Sequence, residues 1–318
     1  MLSRALAIGL LAFAFALQPA TARAADPFVS ILTGGTGGVY YPLGVALAKN
    51  IGKTMPGFKT SVQATRGSFE NLNLLQAGRG DIAFTLGDSL YAAWKGNEEA
   101  GFKTPLKRLR GMAAIYPNYI QIVARRGSGI STLADLKGKA VSVGTAKSTV
   151  ELNARAIFAA AGLSYKDFSR VEYLPFGESI ELLKSGQIDA TLQSAALGVL
   201  ALRDLAASFD VVVVPIPLDV VKKIGDPAFL PGTIPANTYR GQTGDVPTVL
   251  VQNYLVTQEA VDSDVVYGAT KALWSGLEEL VASHPAAKAI DPKHALEGMP
   301  VPLHPGAERY YREVGLLK

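Results

Sequence analysis

Three observations predict an α/β fold built as two lobes, each with a mixed sheet flanked by helices. Short apolar runs of strand length alternate with stretches whose apolar residues recur at helical spacing. One helix–turn–strand pattern occurs twice at a constant offset. Two long strand-like segments stand where they could join the two copies as hinges.

In chain order, "FVSIL" is the first strand. It leads into a helix from about Tyr41 to Lys53, with Leu43, Ala46, Leu47 and Ile51 on one face. "FKTSVQAT" follows as a strand, "SFENLNLLQA" as a helix stopped by Gly78, and "DIAFTL" as a short buried strand. The pattern returns with "GKAVSVG" as a strand and "STVELNARAIFAAAG" as a helix, which aligns Leu152, Ala156, Ala159 and Leu163. Ser148 and Glu151 have capping-box spacing at its start. "VEYLPF" is then a strand, "SIELLKS" a helix stopped by Gly186, and "IDATLQ" a strand. Superposing "NLNLLQAGRGDIAFTL" on "SIELLKSGQIDATL" places Leu74 on Leu182, Leu75 on Leu183, Gly78 on Gly186 and Asp81 on Asp189. Coincidence between two generic units is the alternative; the gap-free offset favours two lobes on one plan. "NYIQIVARR" and "PTVLVQNYLVTQ" are the joining strands, and "DVVYGATKALWSGLEELVAS" is a strong helical run. The expected division is residues 25–123 plus 247–318 in lobe I and 124–246 in lobe II, after a signal peptide over residues 1–24.

That signal is read from three parts: a start carrying Arg4, the apolar run "ALAIGLLAFAFAL", and the small-x-small site Ala22-Arg23-Ala24. An uncleaved anchor is the alternative, but the run is short for a membrane span. Cleavage near Ala24 removes two positive charges and no acid, taking the net charge from +4 to +2. That charge is too small to argue for nucleic acid, and no basic stripe interleaves with aromatics. Hydrophobic residues make up 48% of the 318, which is enough to form a core and argues against disorder. The chain has no cysteine, so an oxidising compartment would contribute no disulfide and no lipid could be attached through a thiol. The mature, exported protein is expected to be soluble.

The stretch "GGTGGVYYPLG", Gly34 to Gly44, asks for a ligand. A dinucleotide fingerprint fails because its third glycine position is Tyr40 and the next strand ends without an acid. A phosphate loop fails because Leu47 stands where "GKT" at Gly52–Thr54 would need a glycine. What remains is a flexible loop entering a helix N-terminus, with Pro42 in the first turn, a place that favours an anion. Close strand–helix packing is the alternative. "GTAKSTVELN" repeats the arrangement in lobe II after Gly144, where Lys147 adds a cation or is merely solvated. "TRGSFEN" repeats it in lobe I, with Arg66 and Ser68 before a helix. Three donor-rich helix starts in two lobes suggest a carboxylate-bearing ligand between them.

No catalytic set is evident. His284, His294 and His304 lie in Pro-rich loops or helix ends and read as structural or surface residues; no zinc motif or nucleophile elbow accompanies them.

With these pieces in view, the chain resembles the TAXI family of solute-binding proteins of tripartite ATP-independent periplasmic (TRAP) transporters. The resemblance covers nearly all of the mature chain. It runs through "GGTGGVYYPLG", "SFENLNLLQAGRGDIAF", "LGDSLYAAWKG", "IYPNYIQIVAR", "SGISTLADLKGKAVSVGTAKSTVELNARAIF", "GQIDATLQSA", "IPANTYRGQT" and "PLHPGAERYYREVG". It implies a two-lobed periplasmic-binding-protein fold of type II that hands a small organic anion, a dicarboxylate or acidic amino acid, to an ion-gradient-driven permease. Many relatives have Ser-Gly-Thr where this chain has Lys147-Ser148-Thr149, which stiffens that loop. On this reading Thr36, Gly37, Gly38, Tyr40 and Tyr41 form one wall of the site. Arg66, Ser68, Asn71 and Tyr116 add polar contacts, and Lys147, Ser148, Thr149 and Gln193 answer from lobe II. The expected partners are the anion and the membrane TRAP permease subunits, with no nucleic acid, cofactor, metal or catalytic residue, and the chain acting as a monomer. A sensory protein with the same cleft and an enzyme on the same fold stay open, because fold does not fix function.

Overall fold

A computed structural model describes residues 28–36, 38–146, 148–198 and 200–318. The proposed signal, Gly37 and Lys147 therefore lie outside the described residues. The first half alternates as read: β1 (Phe28–Leu32), α1 (Tyr40–Thr54), β2 (Lys59–Gln63), α2 (Ser68–Gln76), β3 (Ile82–Leu86), α3 (Gly87–Lys95) and the long β4 (Leu109–Arg125). It continues with β5 (Ala140–Ser142), α4 (Thr149–Ala160), β6 (Arg170–Glu172), α5 (Phe176–Ser185), β7 (Ala190–Ala195), α6 (Leu200–Ser208) and β8 (Val211–Val214). The chain closes with α7 (Leu218–Ile224), β9 (Phe229–Ile234), β10 (Val246–Gln258), α8 (Ser263–Ser275), α9 (Leu277–Ser283) and α10 (Pro305–Glu313). The helical run expected after β10 is two helices: Gly276 interrupts it, and its carbonyl accepts from Asn50 Nδ2 at 2.9 Å.

The expected pair of mixed sheets is continuous through its joining strands. The path is β2-β1-β3-β10-β4-β7-β5-β6, with β8 on β4 and β9 on β10. Its two ends follow one plan. β1 lies between parallel β2 and β3, and β5 between parallel β6 and β7. Each triplet then meets a long strand antiparallel, β3 with β10 and β7 with β4.

The internal repeat has a physical basis. Gly78 and Gly186 both take positive φ (69° and 74°), the left-handed geometry that glycine tolerates after a helix. Leu75 and Leu183 are fully buried. Asp81 Oδ2 accepts from the Ser30 amide of β1, and Asp189 Oδ2 from the Ala140 amide of β5, each at 2.8 Å. The matched aspartates thus tie each turn to the central strand of its own triplet.

The apolar residues divide accordingly. Val29, Ile31, Leu47, Phe84 and Ile115 pack under α1 and α8, while Leu32, Leu72, Leu90 and Val256 pack on the other face of the same strands. Ile122, Val141, Ile157 and Leu192 form the core beneath α4 and α7, with Ile180, Leu183 and Leu205 on its opposite face. β4 and β10 run through both regions. β4 supplies Met112, Ala113, Ile115 and Tyr116 to the first core and Ile120, Ile122 and Ala124 to the second; β10 supplies Val249 and Val251 to the second and Leu255 to the first. The register of β10 on β4 shifts between Gln252 and Tyr254, where the change of core takes place.

Candidate functional site

A cavity of about 460 Å³ opens at that crossover. Its walls include Gly38, Val39 and Tyr40 at the start of α1, Gly67 and Ser68 at the start of α2, and Ser148, Thr149 and Val150 at the start of α4. Local chemistry explains each approach. α1 and α2 begin without a side-chain cap. Ser148 caps α4, its Oγ accepting from the Glu151 amide at 3.3 Å. The expected capping box is only half made, because the Glu151 carboxylate turns to Arg155 (2.7 Å) and the Tyr165 hydroxyl (3.0 Å). Gly144 sets the entry to α4. Its φ is 89°, and a Cβ there would sit 2.8 Å from Val150 Cβ, so both conformation and space demand glycine.

The glycine-rich loop divides between the two roles weighed for it. Gly38 lines the cavity. Gly44 serves packing: a Cβ there would meet Thr33 Cγ2 at 2.5 Å, so its absence lets α1 lie close on β1.

The floor is a polar chain running from one core to the other. Tyr40 Oη donates to Asn253 Oδ1 at 2.6 Å. Asn253 Nδ2 donates to the Tyr116 carbonyl (2.9 Å) and Asn118 Oδ1 (3.2 Å), and Asn118 Nδ2 reaches Ser194 Oγ (3.4 Å). Burial raises the Tyr40 and Tyr116 phenols well above their ordinary pKa, so both are neutral hydroxyls. Ser68 Oγ accepts from the Leu86 amide at 3.0 Å, which fixes its place at the wall.

Of the residues expected at a site, Gly38, Tyr40, Arg66, Ser68, Tyr116, Ser148 and Thr149 come together here. Arg66 stands at the edge, its side chain 89% exposed and its Nε 3.1 Å from Glu70. Thr36 is exposed and Tyr41 half-buried, and neither lines the cavity. Asn71 is fully buried behind the wall: Nδ2 donates to the carbonyls of Thr33 (2.6 Å) and Phe84 (2.8 Å), and Oδ1 accepts from Thr65. Gln193 is buried too, with Nε2 on Thr191 Oγ1 at 2.7 Å. Both are held by internal bonds instead of facing the cavity.

The sequence reading missed Asn118, Ser194, Asn253 and His284. The first three are polar residues within otherwise apolar strands, and that was the available signal. His284 was read as structural or surface; it caps the short 3-10 segment Pro285–Ala289 and also lines the cavity. His304 fits the structural reading, since its Nδ1 accepts from the Gly306 amide at the start of α10. Among the described residues no cluster of His, Cys, Asp or Glu could hold a metal ion, and no helix is long and apolar enough to cross a membrane.

The NMT1-like family model matches residues 31–315. Three solved structures are similar. The periplasmic aliphatic sulphonate binding protein SsuA from Escherichia coli shares 18% identity at a TM-score of 0.51, covering 91% of this chain and 84% of that one. PhnD1 from Prochlorococcus marinus, in complex with methylphosphonate, shares 13% at 0.56, covering 91% and 99%. A TctC solute binding protein from Polaromonas shares 15% at 0.56, covering 93% and 100%. At these identities the likeness establishes the fold: a mixed α/β architecture with a curled sheet flanked by helices, as in periplasmic binding proteins.

Proposed function

The chain belongs to the NMT1-like family, and from that premise we propose that it is a periplasmic solute-binding protein for a small organic anion, a dicarboxylate or acidic amino acid. One observation carries the reading: three helix N-termini from both cores converge on a cavity with no carboxylate among its described lining residues. The free amides and dipoles of such termini favour negative charge, and a volume of about 460 Å³ suits a small metabolite. The polar floor offers hydroxyl and amide groups to orient it. The sulphonate-binding and methylphosphonate-bound relatives in fold support an anionic ligand. The TAXI resemblance favours a carboxylate, and with it a TRAP permease as the recipient.

On this reading lobe I comprises residues 25–123 and 247–318, and lobe II residues 124–246. They close by bending β4 and β10 near the crossover, and the closed form is what the permease recognises. No catalytic step is assigned.

Thermal unfolding with succinate, glutarate, glutamate, ethanesulfonate and methylphosphonate tests the ligand class. A ligand at a hundredfold its Kd should stabilise the fold by about 2.7 kcal/mol. A carboxylate is expected to raise Tm most. A sulfonate or phosphonate in first place would replace the carboxylate assignment, and no shift with any anion would overturn the anion reading. Uptake into vesicles carrying the permease subunits should need this protein and an ion gradient; dependence on ATP would refute the TRAP assignment.

A further inference from the structure

Beyond His284 the cleft does not end. A second chamber of about 710 Å³ shares Tyr116, Ala196 and His284 with the first. Its own walls differ in chemistry. Pro117, Tyr119, Leu197, Pro285 and Ala289 present mainly carbon, and exposed Lys288 is the one full charge among its described lining residues. The first chamber alone falls within the usual pocket range of about 300–1,000 Å³, so a four- or five-carbon diacid needs no second space.

The shared histidine marks the boundary. Its Nδ1 accepts from the Ala286 amide at 3.1 Å, so the neutral ring carries its proton on Nε2. No protein acceptor takes that proton among the described residues. Burial lowers the His284 pKa, which favours the neutral ring. His284 thus offers an N–H donor at the boundary, suited to a carbonyl, ether or hydroxyl oxygen of a molecule that passes from one chamber into the other.

We infer that the second chamber takes the tail of the ligand, so that the substrate class is an anion bearing an aromatic or aliphatic tail instead of a bare diacid. The inference rests on the proposed anion site in the first chamber, where the charged head is held by the helix N-termini. The tail lies between Tyr119, Leu197 and the 285–289 segment, and its burial adds affinity in proportion to the apolar area removed from water.

Calorimetry on matched pairs tests it: succinate against 2-benzylsuccinate, and glutamate against N-benzoylglutamate. In each pair that binds, the tailed acid is expected to bind at least tenfold tighter. Ala289→Trp, at an exposed position lining the second chamber alone, should remove that advantage and leave the short acid within about twofold. If short acids bind and tails bring no gain, the tail chamber is refuted while the anion site stands. A gain that survives Ala289→Trp also refutes it, since the tail then lies elsewhere. If neither member of either pair binds, the carboxylate reading fails and the inference with it.

Discussion

Asp88 provides a sharp test of how the two cores are held together. It sits in the first turn of α3, only 8% exposed. Its Oδ1 accepts from the Ser89 amide, and its Oδ2 from Asn153 Nδ2 on α4, both at 2.6 Å. The second bond links the first core to the second. Asn153 is fully buried, and its Oδ1 has no hydrogen-bond partner. Asp88 also lines a cavity of about 330 Å³ with Asp226, Asn97, Glu99 and Arg155, and Arg155 is already paired with Glu151 at 2.7 Å. Burial is the main cause that lifts the Asp88 carboxyl from 3.8 to about 7, with the Asp226 charge adding to it against the bonds from Ser89 and Asn153.

The sign follows from proton counting. Between pH 3.8 and about 7 the folded protein holds more protons at Asp88 than the unfolded chain, so stability is highest below that window and falls as pH rises through it. At about 1.4 kcal/mol per pH unit the whole window is worth roughly 4 kcal/mol. Asp88→Asn removes the charge and keeps the shape. Turning the Asn153 amide over would give its orphan Oδ1 a donor from the new side chain. Because that amide must still be satisfied, the expected gain at pH 8 is about 2 kcal/mol, roughly 4 °C in Tm. Denaturant and thermal unfolding from pH 4 to pH 8 should show wild-type stability declining. The variant should lose the Asp88 part of that slope, leaving Asp226, which burial lifts to about 6, opposed by His284 and His304, whose pKa values burial lowers. An unchanged slope in the variant would refute the assignment to Asp88.

Three further outcomes are expected. Tyr40→Phe leaves Asn253 Oδ1 without its donor in a buried place; denaturant unfolding should show a loss of about 1–3 kcal/mol, and a loss under 0.5 kcal/mol would mean that the floor chain is not held together there. Gly144→Ala forces a side chain into φ 89° and against Val150; it should cost roughly 1–3 kcal/mol in the same assay and weaken anion binding through displacement of α4, whereas a neutral substitution would dismiss the steric argument. Intact-mass measurement of protein from a periplasmic extract should find a chain that starts near Ala25; an uncut N-terminus there would exclude the proposed signal.

The elements were legible because their signals are local. Apolar spacing marked α1 and α4 within a residue or two, and glycines at 78 and 186 marked the ends of α2 and α5. The three helix starts that meet at the cavity were visible for the same reason: hydroxyls and glycine announce a helix N-terminus wherever it later points. What the sequence hid is which polar side chains face inward as glue and which face the cavity. On β7 the two differ by one residue. Gln193 was expected at the site, yet it is buried and bonded to Thr191 Oγ1, and the cavity begins at Ser194, Ala195 and Ala196 at the strand's end. Asn71 has the chemistry of a ligand contact but sits one helical turn behind Ser68, within reach of the carbonyls of Thr33, just past β1, and Phe84 in β3.

Asn118 and Asn253 show the limit from the other side. Their bond joins residues 135 positions apart, so no local window contains it. Asn253 is buried in the middle of a strand recognised as a connector, where a polar residue has to find a partner, and half-buried Asn118 opens the other connector. Here the partners are each other, Tyr40 and Ser194, and they meet where β4 and β10 pass from one core to the next. On the proposed reading, that coincidence links binding to bending. A ligand bond to any member of the chain acts on the same few residues about which the proposed lobes turn, so the binding energy is delivered at the pivot. A site built on a loop remote from β4 and β10 would have to transmit closure through packing alone.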